Sequence, residues 1–328
     1  MRIAEPADKT LLFLMSTLKW LLLLPRSFRL TCLVFPENGR MGRIVYLGEG
    51  ESVSYVRSVF QREGGDCEIR RIPLLQAGKV IREMVRKGTI LCVEVNRLLG
   101  PCMPGKLLPS FPWVRQRTVL SSREYDKRKK AIDAVYGRKV RKYGYGFRTV
   151  TDSGSLRRFY TELYLPHISA RFGEERSARS LSEMAHAVKA GFLLQVLHDD
   201  VWVSGAVCMI RNKEISVLTF GHLPEQIFPL ARGALSAAYH YIFSYAESAG
   251  LESVDLGRSR PHAADGVYWH KQRWGASAEK DPWPHNSLWF FLPEGCVIPA
   301  TLEKQLVWSD GIFREMREYE KDNGMSSF

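Results

Sequence analysis

The stretch VDLGRSRPHAADGVYWHKQRWGA, residues 254–276, joins a strand, a turn and a short helix. Val254 and Leu256 flank Asp255 in the alternating pattern typical of a strand, and the Gly-Arg-Ser-Arg-Pro sequence predicts the turn that ends it. Asp265-Gly266 then start a short helix that is rich in aromatic and basic side chains. A buried strand that ends on an acid beside such a helix is a candidate functional site.

The residues on either side predict an ordered α/β unit. DSGSLRRFYTELYLP forms a helix stopped by Pro166, and a capping box of Ser180 and Glu183 opens the next helix. FLLQVLH, VWVSGAVCMI and EISVLTFG follow as an antiparallel meander with tight polar turns. A long buried helix then ends at Gly250, and SLWFFLP is the last strand of the unit.

An earlier, smaller α/β unit is predicted upstream. RLTCLVF, RIVYLG, CEIRRIPL and TILCVEV are strands, the last of them central, and two helices lie between them. A long Pro/Gly-rich loop follows. The basic stretch after it, with Lys127, Lys129, Lys130 and Lys139 among its charges, is either a solvated connecting helix or a surface that tracks phosphates.

This order of elements resembles the GNAT acyltransferase fold. VDLGRS followed by GVYWHKQRWGA is similar to the strand–turn–helix stretch of the Fem-like branch, in which a strand ends in Asp-x-Gly and a Lys precedes an aromatic-Gly pair. FYTELYLP is also similar to that branch. The resemblance covers about residues 120–295 in pattern and is specific in those two stretches.

The resemblance implies an α/β protein with a GNAT-like fold, in tandem with a degenerate first half. The predicted division has five parts: an apolar N-terminal segment (1–28), a degenerate GNAT-like half (29–119), a basic connecting helix (120–146), the GNAT acyltransferase domain (147–300) and a C-terminal helical tail (301–328). Transfer in this fold needs an aligned amine, an oxyanion donor and a proton acceptor. An open cleft between the 214–221 and 252–257 strands would indicate an active site, and a filled one an inactive site.

The resemblance also implies roles for named residues. Lys271 would stabilise the donor's phosphate or the developing oxyanion, or else is a surface lysine paired with Asp265 or Asp255. Asp255 either orients or deprotonates an amine, or caps the turn that follows it. Arg258 either binds an anionic group or is solvated, and His262 is an acid–base partner or a surface histidine.

Three tyrosines complete the substrate-binding candidates: Tyr268, Tyr160 and Tyr164, each of which otherwise packs in the core. Acetyl-CoA users carry Arg/Gln-x-x-Gly-x-Gly/Ala before the long helix, where N–H groups bind pyrophosphate. Here Arg232-Gly233-Ala234 is a remnant of that pattern. The co-substrate, acyl-CoA or aminoacyl-tRNA, therefore stays open, with no permanently bound cofactor.

The composition gives further predictions about the partner and the cellular compartment. A formal net charge of +12 favours an anionic partner, and the scattered cysteines indicate buried thiols in a reducing, cytoplasmic compartment. No metal-binding motif is present. The apolar stretch 10–24 is a packed helix, an interfacial membrane anchor or an extension from a mistaken start.

The sequence thus predicts a GNAT-fold acyltransferase that moves an acyl or aminoacyl group to an amine acceptor, as in synthesis of cell-envelope or polysaccharide precursors. One alternative is an aminoacyl-tRNA-dependent peptidyltransferase of Fem type. The other is a non-catalytic GNAT-fold protein that binds an anionic glycan or nucleic acid.

Overall fold

The computed structural model describes residues 29–35, 43–48, 52–60, 67–96, 107–172, 178–229, 232–281, 286–293 and 298–322. The predicted N-terminal segment 1–28, with its apolar stretch 10–24, lies outside the described residues. Within these ranges no helix is both long and apolar enough to cross a bilayer.

The chain forms many short strands. In chain order they are β1 (Arg29–Phe35), β2 (Ile44–Gly48), β3 (Glu68–Pro73), β4 (Ile90–Asn96), β5 (Leu108–Ser110), β6 (Val114–Val119), β7 (Gly146–Val150), β8 (Gly191–His198), β9 (Val201–Arg211), β10 (Glu214–His222), β11 (Ser253–Ser259), β12 (Ser277–Lys280), β13 (Asn286–Phe291), β14 (Leu306–Ser309) and β15 (Ile312–Glu315).

Helices connect these strands. They are α1 (Val53–Phe60), α2 (Leu74–Arg86), α3 (Arg123–Ile132), α4 (Arg138–Lys142), α5 (Ser153–Arg158), α6 (Leu165–Phe172), α7 (Leu181–Lys189), α8 (Ala234–Ser248), α9 (Gly266–Gln272), α10 (Ala300–Glu303) and α11 (Met316–Asp322). A π-helical turn, Asp133–Gly137, joins α3 to α4, and another, Phe159–Tyr164, joins α5 to α6.

The chain divides into two compact units that are interleaved along the sequence. The first comprises residues 1–114, 260–265 and 280–328, and the second residues 115–259 and 266–279. The predicted division used contiguous segments with a boundary near residue 120, whereas the chain here leaves and re-enters each unit. The reason is that strands from distant parts of the sequence complete each sheet.

The first unit is built on a six-stranded sheet in the order β3-β1-β2-β4-β13-β5. β2 and β4 pair in parallel, and β4 is central as predicted. β13 contains the predicted last strand, SLWFFLP, but it pairs with β4 and β5 of this sheet rather than with the meander. Its side chains Leu288 and Phe290 are buried, so they contribute to the core of the first unit.

The C-terminal residues of the first unit differ from the predicted helical tail. α10 and α11 flank a hairpin in which β14 and β15 pair, with Trp308 opposite Phe313. Asp310 and Gly311 at its tip have positive φ, which is the backbone of a two-residue hairpin turn. Aromatic cross-strand packing and an Asp-Gly turn therefore favour strands here.

The second unit is built on a seven-stranded sheet in the order β12-β6-β11-β10-β9-β8-β7. β8, β9 and β10 form the predicted antiparallel meander. Its turns place Asp199-Asp200 and Asn212-Lys213 in the left-handed region, as tight hairpins require. α8 packs on this sheet and supplies a run of buried alanines and aromatic side chains to its core.

The helices of the second unit bear on two local predictions, a capping box and a helix end at Pro166. The capping box of Ser180 and Glu183 is confirmed at the start of α7. The prediction that Pro166 stops a helix was wrong, because α6 begins at Leu165 and continues to Phe172. The π-helical turn runs directly into α6, and the Leu165 N–H bonds the Tyr160 carbonyl, so Pro166 lies where the regular α-helical bonding pattern is already interrupted.

Candidate active site

The central feature of the second unit is a parallel pair of strands whose pairing ends early. β10 and β11 pair at Glu214 with Ser253, Ile215 with Val254 and Ser216 with Asp255. Both strands continue beyond these pairs, to His222 and Ser259. β10 also changes register against β9 just after this point. The β10–β11 ladder therefore ends at Ser216 and Asp255, while β10 stays paired with β9 as far as His222.

Gly257 determines how β11 leaves this pairing. Its φ of 73° lies in the left-handed region, and its N–H donates to Asp255 Oδ1 at 2.9 Å. A Cβ atom added here would lie 3.6 Å from the Val217 carbonyl oxygen. The predicted turn after Leu256 is thus a kink within a strand that continues to Ser259, and the prediction that the strand stops there was wrong.

Asp255 is buried and fully engaged. Arg115 donates to Asp255 Oδ2 at 2.6 Å, while Oδ1 accepts the Gly257 N–H. Arg115 also lies 3.4 Å from Glu214, the first residue of β10. The carboxylate therefore holds β6, β11 and the Gly257 kink together. This geometry supports the turn-capping interpretation of Asp255 rather than a free base.

Lys271 is buried on α9 rather than exposed on the surface. Its ammonium donates to the Arg258 carbonyl oxygen at 2.7 Å, one residue past the Gly257 kink. This contact is made with the backbone carbonyl of Arg258, whose side chain is exposed. Lys271 therefore connects the predicted short helix to the kinked part of β11.

Two polar side chains of β6 bond the backbone of α9 and of the turn that follows it, and sequence reasoning missed both. Gln116 donates to the Tyr268 carbonyl at 3.1 Å and accepts from Ser259 Oγ at 2.6 Å. Thr118 donates to the Trp274 carbonyl at 3.1 Å. Tyr268 itself is buried. The alternation in VRQRTV could have indicated that Gln116 and Thr118 share one face, but no pattern in the neighbouring sequence indicates which residues they contact.

The other predicted substrate-binding residues, Tyr164, Tyr160 and His262, have contacts of their own. Tyr164 is buried and its hydroxyl accepts the Arg179 N–H at 2.7 Å, while Tyr160 is partly exposed and packs on Tyr164. His262 belongs to the first unit, where Nε2 donates to the Thr301 carbonyl at 2.8 Å and Nδ1 accepts from Ala264 N–H. Both nitrogens of His262 are therefore occupied.

The N-terminus of α8 forms a cationic site. Gly233, with a φ of 85°, precedes the helix, and the Lys139 side chain lies against it, since a Cβ on Gly233 would be 3.6 Å from Lys139 Nζ. Arg232 is exposed, with its guanidinium 5.1 Å from the Phe228 ring. Because α8 connects β10 to the parallel β11, its N-terminus lies at the edge where both strands end. Free N–H groups and two cations there suit an anion.

An aromatic stack lies next to these elements. Phe220 of β10 stacks on Tyr239 of α8 at 4.3 Å between ring centroids, and Tyr239 stacks on Trp274 at 5.5 Å. Tyr136 covers the other side of Trp274 at 4.7 Å. Side chains thus occupy the helix-covered face beside the separated strands. Over the described part of the chain, His, Cys, Asp and Glu form no group that could hold a metal ion.

The strand order, the short parallel β10–β11 pair and the crossover by α8 define a GNAT-type fold. No protein-family model and no curated protein sequence matches the chain.

Among solved structures the chain is similar to FemX, with 11% identity, a TM-score of 0.42 and coverage of 80% of this chain and 83% of that one. It is similar to L-PGS from Bacillus licheniformis, with 13% identity, a TM-score of 0.38 and coverage of 79% and 81%. It is also similar to a GCN5-related N-acetyltransferase from Sphaerobacter thermophilus, with 12% identity, a TM-score of 0.35 and coverage of 83% of this chain and 79% of that one. FemX and GCN5-related N-acetyltransferases are thus among the proteins that the chain resembles.

Proposed function

We propose that the second unit is an N-acyltransferase that moves an acyl or aminoacyl group from a phosphate-bearing donor to an amine. The observation that carries the proposal is the end of β10–β11 pairing at the Gly257 kink, on the same edge as the cationic N-terminus of α8. Unpaired strand N–H groups can bind the acyl carbonyl, and the helix N-terminus can bind the donor's phosphates. Acyl-CoA and aminoacyl-tRNA both have this chemistry.

Lys139 and Lys271 have separate parts in this proposal. Lys139, beside Gly233, contacts the donor's phosphate, and Arg232 adds a second positive charge. Lys271 keeps the kinked part of β11 in place through the Arg258 carbonyl. The amine-bearing acceptor is a cell-envelope or polysaccharide precursor in this proposal, and the apolar stretch 10–24 supplies peripheral membrane contact.

Binding of each donor tests the proposal directly. Native mass spectrometry of the purified protein, with acetyl-CoA and aminoacylated tRNA offered separately, is expected to show one bound donor. Lys139→Gln should weaken that donor about tenfold or more, because it removes one charge-assisted contact. Lys189→Gln, which removes an exposed lysine of α7 outside the basic stretch, is the matched control. If neither donor binds, or if both variants lose affinity equally, the proposal fails.

A non-catalytic role is the second candidate, and the engaged side chains favour it. Asp255 is ion-paired with Arg115, Lys271 is hydrogen-bonded to a carbonyl, and aromatic rings occupy the helix-covered face beside the strands. In this case the unit binds an anionic glycan or nucleic acid without transfer. A radiolabelled donor that binds but stays intact in the presence of a panel of amines would support this candidate over the enzyme.

A further inference from the structure

The last residue of β10, His222, has a nitrogen lone pair that the fold does not use. The residue is 1% exposed, and its Nδ1 lies in hydrogen-bond contact with the Leu223 carbonyl oxygen. A carbonyl only accepts, so the proton is on Nδ1 and Nε2 has the free lone pair. Nε2 is buried and has no hydrogen-bond partner within the described residues. Such a group is rare in folded proteins and calls for an explanation.

The position of His222 relates this lone pair to the proposed reaction. It ends the strand that, with β11, forms the separated pair, and it lies before the loop that leads to the N-terminus of α8. The backbone of β10 is fixed there by pairing with Ser204 of β9 and by the Ser204 Oγ bond to the Gly221 carbonyl at 2.9 Å. The backbone that bears the imidazole is therefore fixed at the C-terminal end of β10, on the edge from which the chain leads to the N-terminus of α8.

The surroundings of His222 keep it neutral. Burial lowers the pKa of His222 below its usual value, and the Leu223 carbonyl and the nearby Glu225 carboxylate oppose that shift only in part. The ring packs on Phe228 at 6.1 Å, and His167 of α6 lies 6.4 Å away. Across Phe228 lie His198 of β8 and the Arg232 guanidinium. A neutral imidazole with a free nitrogen is the form that accepts a proton.

The carboxylate that the sequence favoured for this task is not free to do it. Asp255 has one oxygen on Arg115 and the other on the Gly257 N–H. We propose that His222 is the proton acceptor of the transfer reaction, with Nε2 as the accepting atom. This inference rests on the proposed function and adds to it the group that takes up the amine proton.

The amine nitrogen of the acceptor forms a bond to the acyl carbon, and its proton passes to Nε2 directly or through one water molecule. The bond from the acyl carbon to the donor's sulfur or oxygen breaks, and its electron pair leaves with the donor. The imidazolium then returns the proton to that leaving group or to solvent. No oxidant, reductant or metal is needed.

The test compares His222→Gln with His198→Gln. Both variants remove an imidazole that packs on Phe228 and has its Nδ1 on a backbone carbonyl, but His198 is partly exposed and its Nε2 lies 3.5 Å from Asp199 Oδ2. Single-turnover transfer is measured from pH 5 to 9 with whichever of acyl-CoA and aminoacyl-tRNA the wild type uses. The wild-type rate should rise with pH through one ionisation below about pH 6.5 and then level off.

His222→Gln is expected to reduce the rate by about 10²–10⁴-fold and to lose that ionisation, with the Kd of the donor unchanged. His198→Gln should keep both the ionisation and most of the rate. A His222→Gln enzyme with the wild-type rate and pH profile overturns the role of His222 and leaves the proposed function intact. A wild-type protein that transfers from neither donor overturns the proposed function, and the role of His222 with it.

A spectroscopic measurement on the wild type keeps the inference falsifiable if His222→Gln does not fold. Nitrogen-15 imidazole shifts at pH 7 are expected to show His222 neutral, with the proton on Nδ1. A His222 that is charged at pH 7, or that has its proton on Nε2, contradicts the inference because neither form can accept the amine proton at Nε2.

Discussion

Gly257 has both a left-handed backbone and a close neighbour on β10, whereas Gly250 has only the left-handed backbone. Its φ of 73° disfavours any side chain, and its α-carbon faces the Val217 carbonyl of β10. Gly250, after α8, has a similar φ of 64° but nothing within 4 Å of an added Cβ. The backbone cost of alanine should therefore be alike at the two positions, whereas only position 257 borders the separated strands.

We expect Gly257→Ala and Gly250→Ala each to lower the free energy of unfolding by about 1–2 kcal/mol, the cost of a left-handed alanine. Urea denaturation measures this change. Donor binding should weaken in Gly257→Ala alone, because its methyl group lies in the space beside β10. Equal donor affinities in the two variants would show that Gly257 serves the backbone only.

Lys271 is a second residue whose role can be measured by a single change. Lys271→Met removes the charged donor to the Arg258 carbonyl and leaves that partly buried acceptor without this partner. We expect the free energy of unfolding to fall by about 1.5–3 kcal/mol, the usual contribution of a hydrogen bond from a charged group. Transfer should slow by about a hundredfold or more if the kink of β11 positions the oxyanion donors.

Lys189→Met is the control for Lys271→Met, since Lys189 is an exposed helical lysine and its loss should change stability by less than about 0.5 kcal/mol. A Lys271→Met protein as stable as this control would mean that the buried ammonium contributes nothing to the fold.

At single positions the sequence predicted which residues lie together better than it predicted what they contact. The Asp255–Gly257 stretch and Lys271 do lie together around the kink of β11. The partner of Asp255 is Arg115, 140 residues earlier in the chain, and no local pattern connects the two. His222 was missed because a free nitrogen lone pair follows from the hydrogen bond of the other nitrogen, which a sequence does not show.

Among the elements, the basic helical stretch α3–α4 offers a surface for a polyanion. Lys127 and Lys130 are exposed on it, and Lys139 reaches the N-terminus of α8. Lys129, by contrast, pairs with Glu247 of α8 at 2.6 Å. The four lysines that the sequence grouped together therefore divide into three that can contact phosphates and one that is already paired.

If the donor is tRNA, changing Lys127, Lys130 and Lys139 together to Gln should lower the slope of log Kd against log salt by about 2, given about 0.7–0.9 per phosphate contact. Filter binding at several salt concentrations measures the slope. Lys129→Gln should leave it nearly unchanged. A slope that is the same in the triple variant and the wild type would exclude this surface from tRNA binding.

Elements governed by local rules were predicted well, and those set by distant pairing were not. The meander was predictable because alternation and two-residue polar turns specify it within about thirty residues, and its turn residues have the positive φ that such hairpins need. The pairing of β6 with β11 and of β13 with β4 could not be predicted, because the pattern of an apolar strand is compatible with many partner strands. The predicted helix end at Pro166 was wrong because hydrophobic periodicity does not reveal the π-helical turn that precedes it.

On the scale of the whole molecule, the interleaved chain predicts that neither unit can be obtained by cutting near residue 119. A fragment of residues 1–119 lacks β13, which lies between β4 and β5 and buries Leu288 and Phe290. We expect this fragment to be unfolded, with poor dispersion in a nitrogen–proton correlation spectrum.

Adding a separately produced 280–328 fragment supplies β13 and the β14–β15 hairpin, and it should restore dispersion to the 1–119 spectrum. A fragment 1–119 that folds alone would contradict this expectation and would show that β13 is dispensable for the first sheet.

The place of β13 also has a consequence for biosynthesis. Asn286 of β13 lies beside Glu94 of β4, and 192 residues separate the two in the chain. At translation rates of about 5–20 residues per second, the ribosome takes about 10–40 s to make β13 after it has made β4. During that interval β4, whose Leu91, Cys92 and Val93 are buried in the finished sheet, is without one of its two neighbouring strands. The nascent chain should therefore bind a chaperone at this apolar strand until residue 291 has been translated.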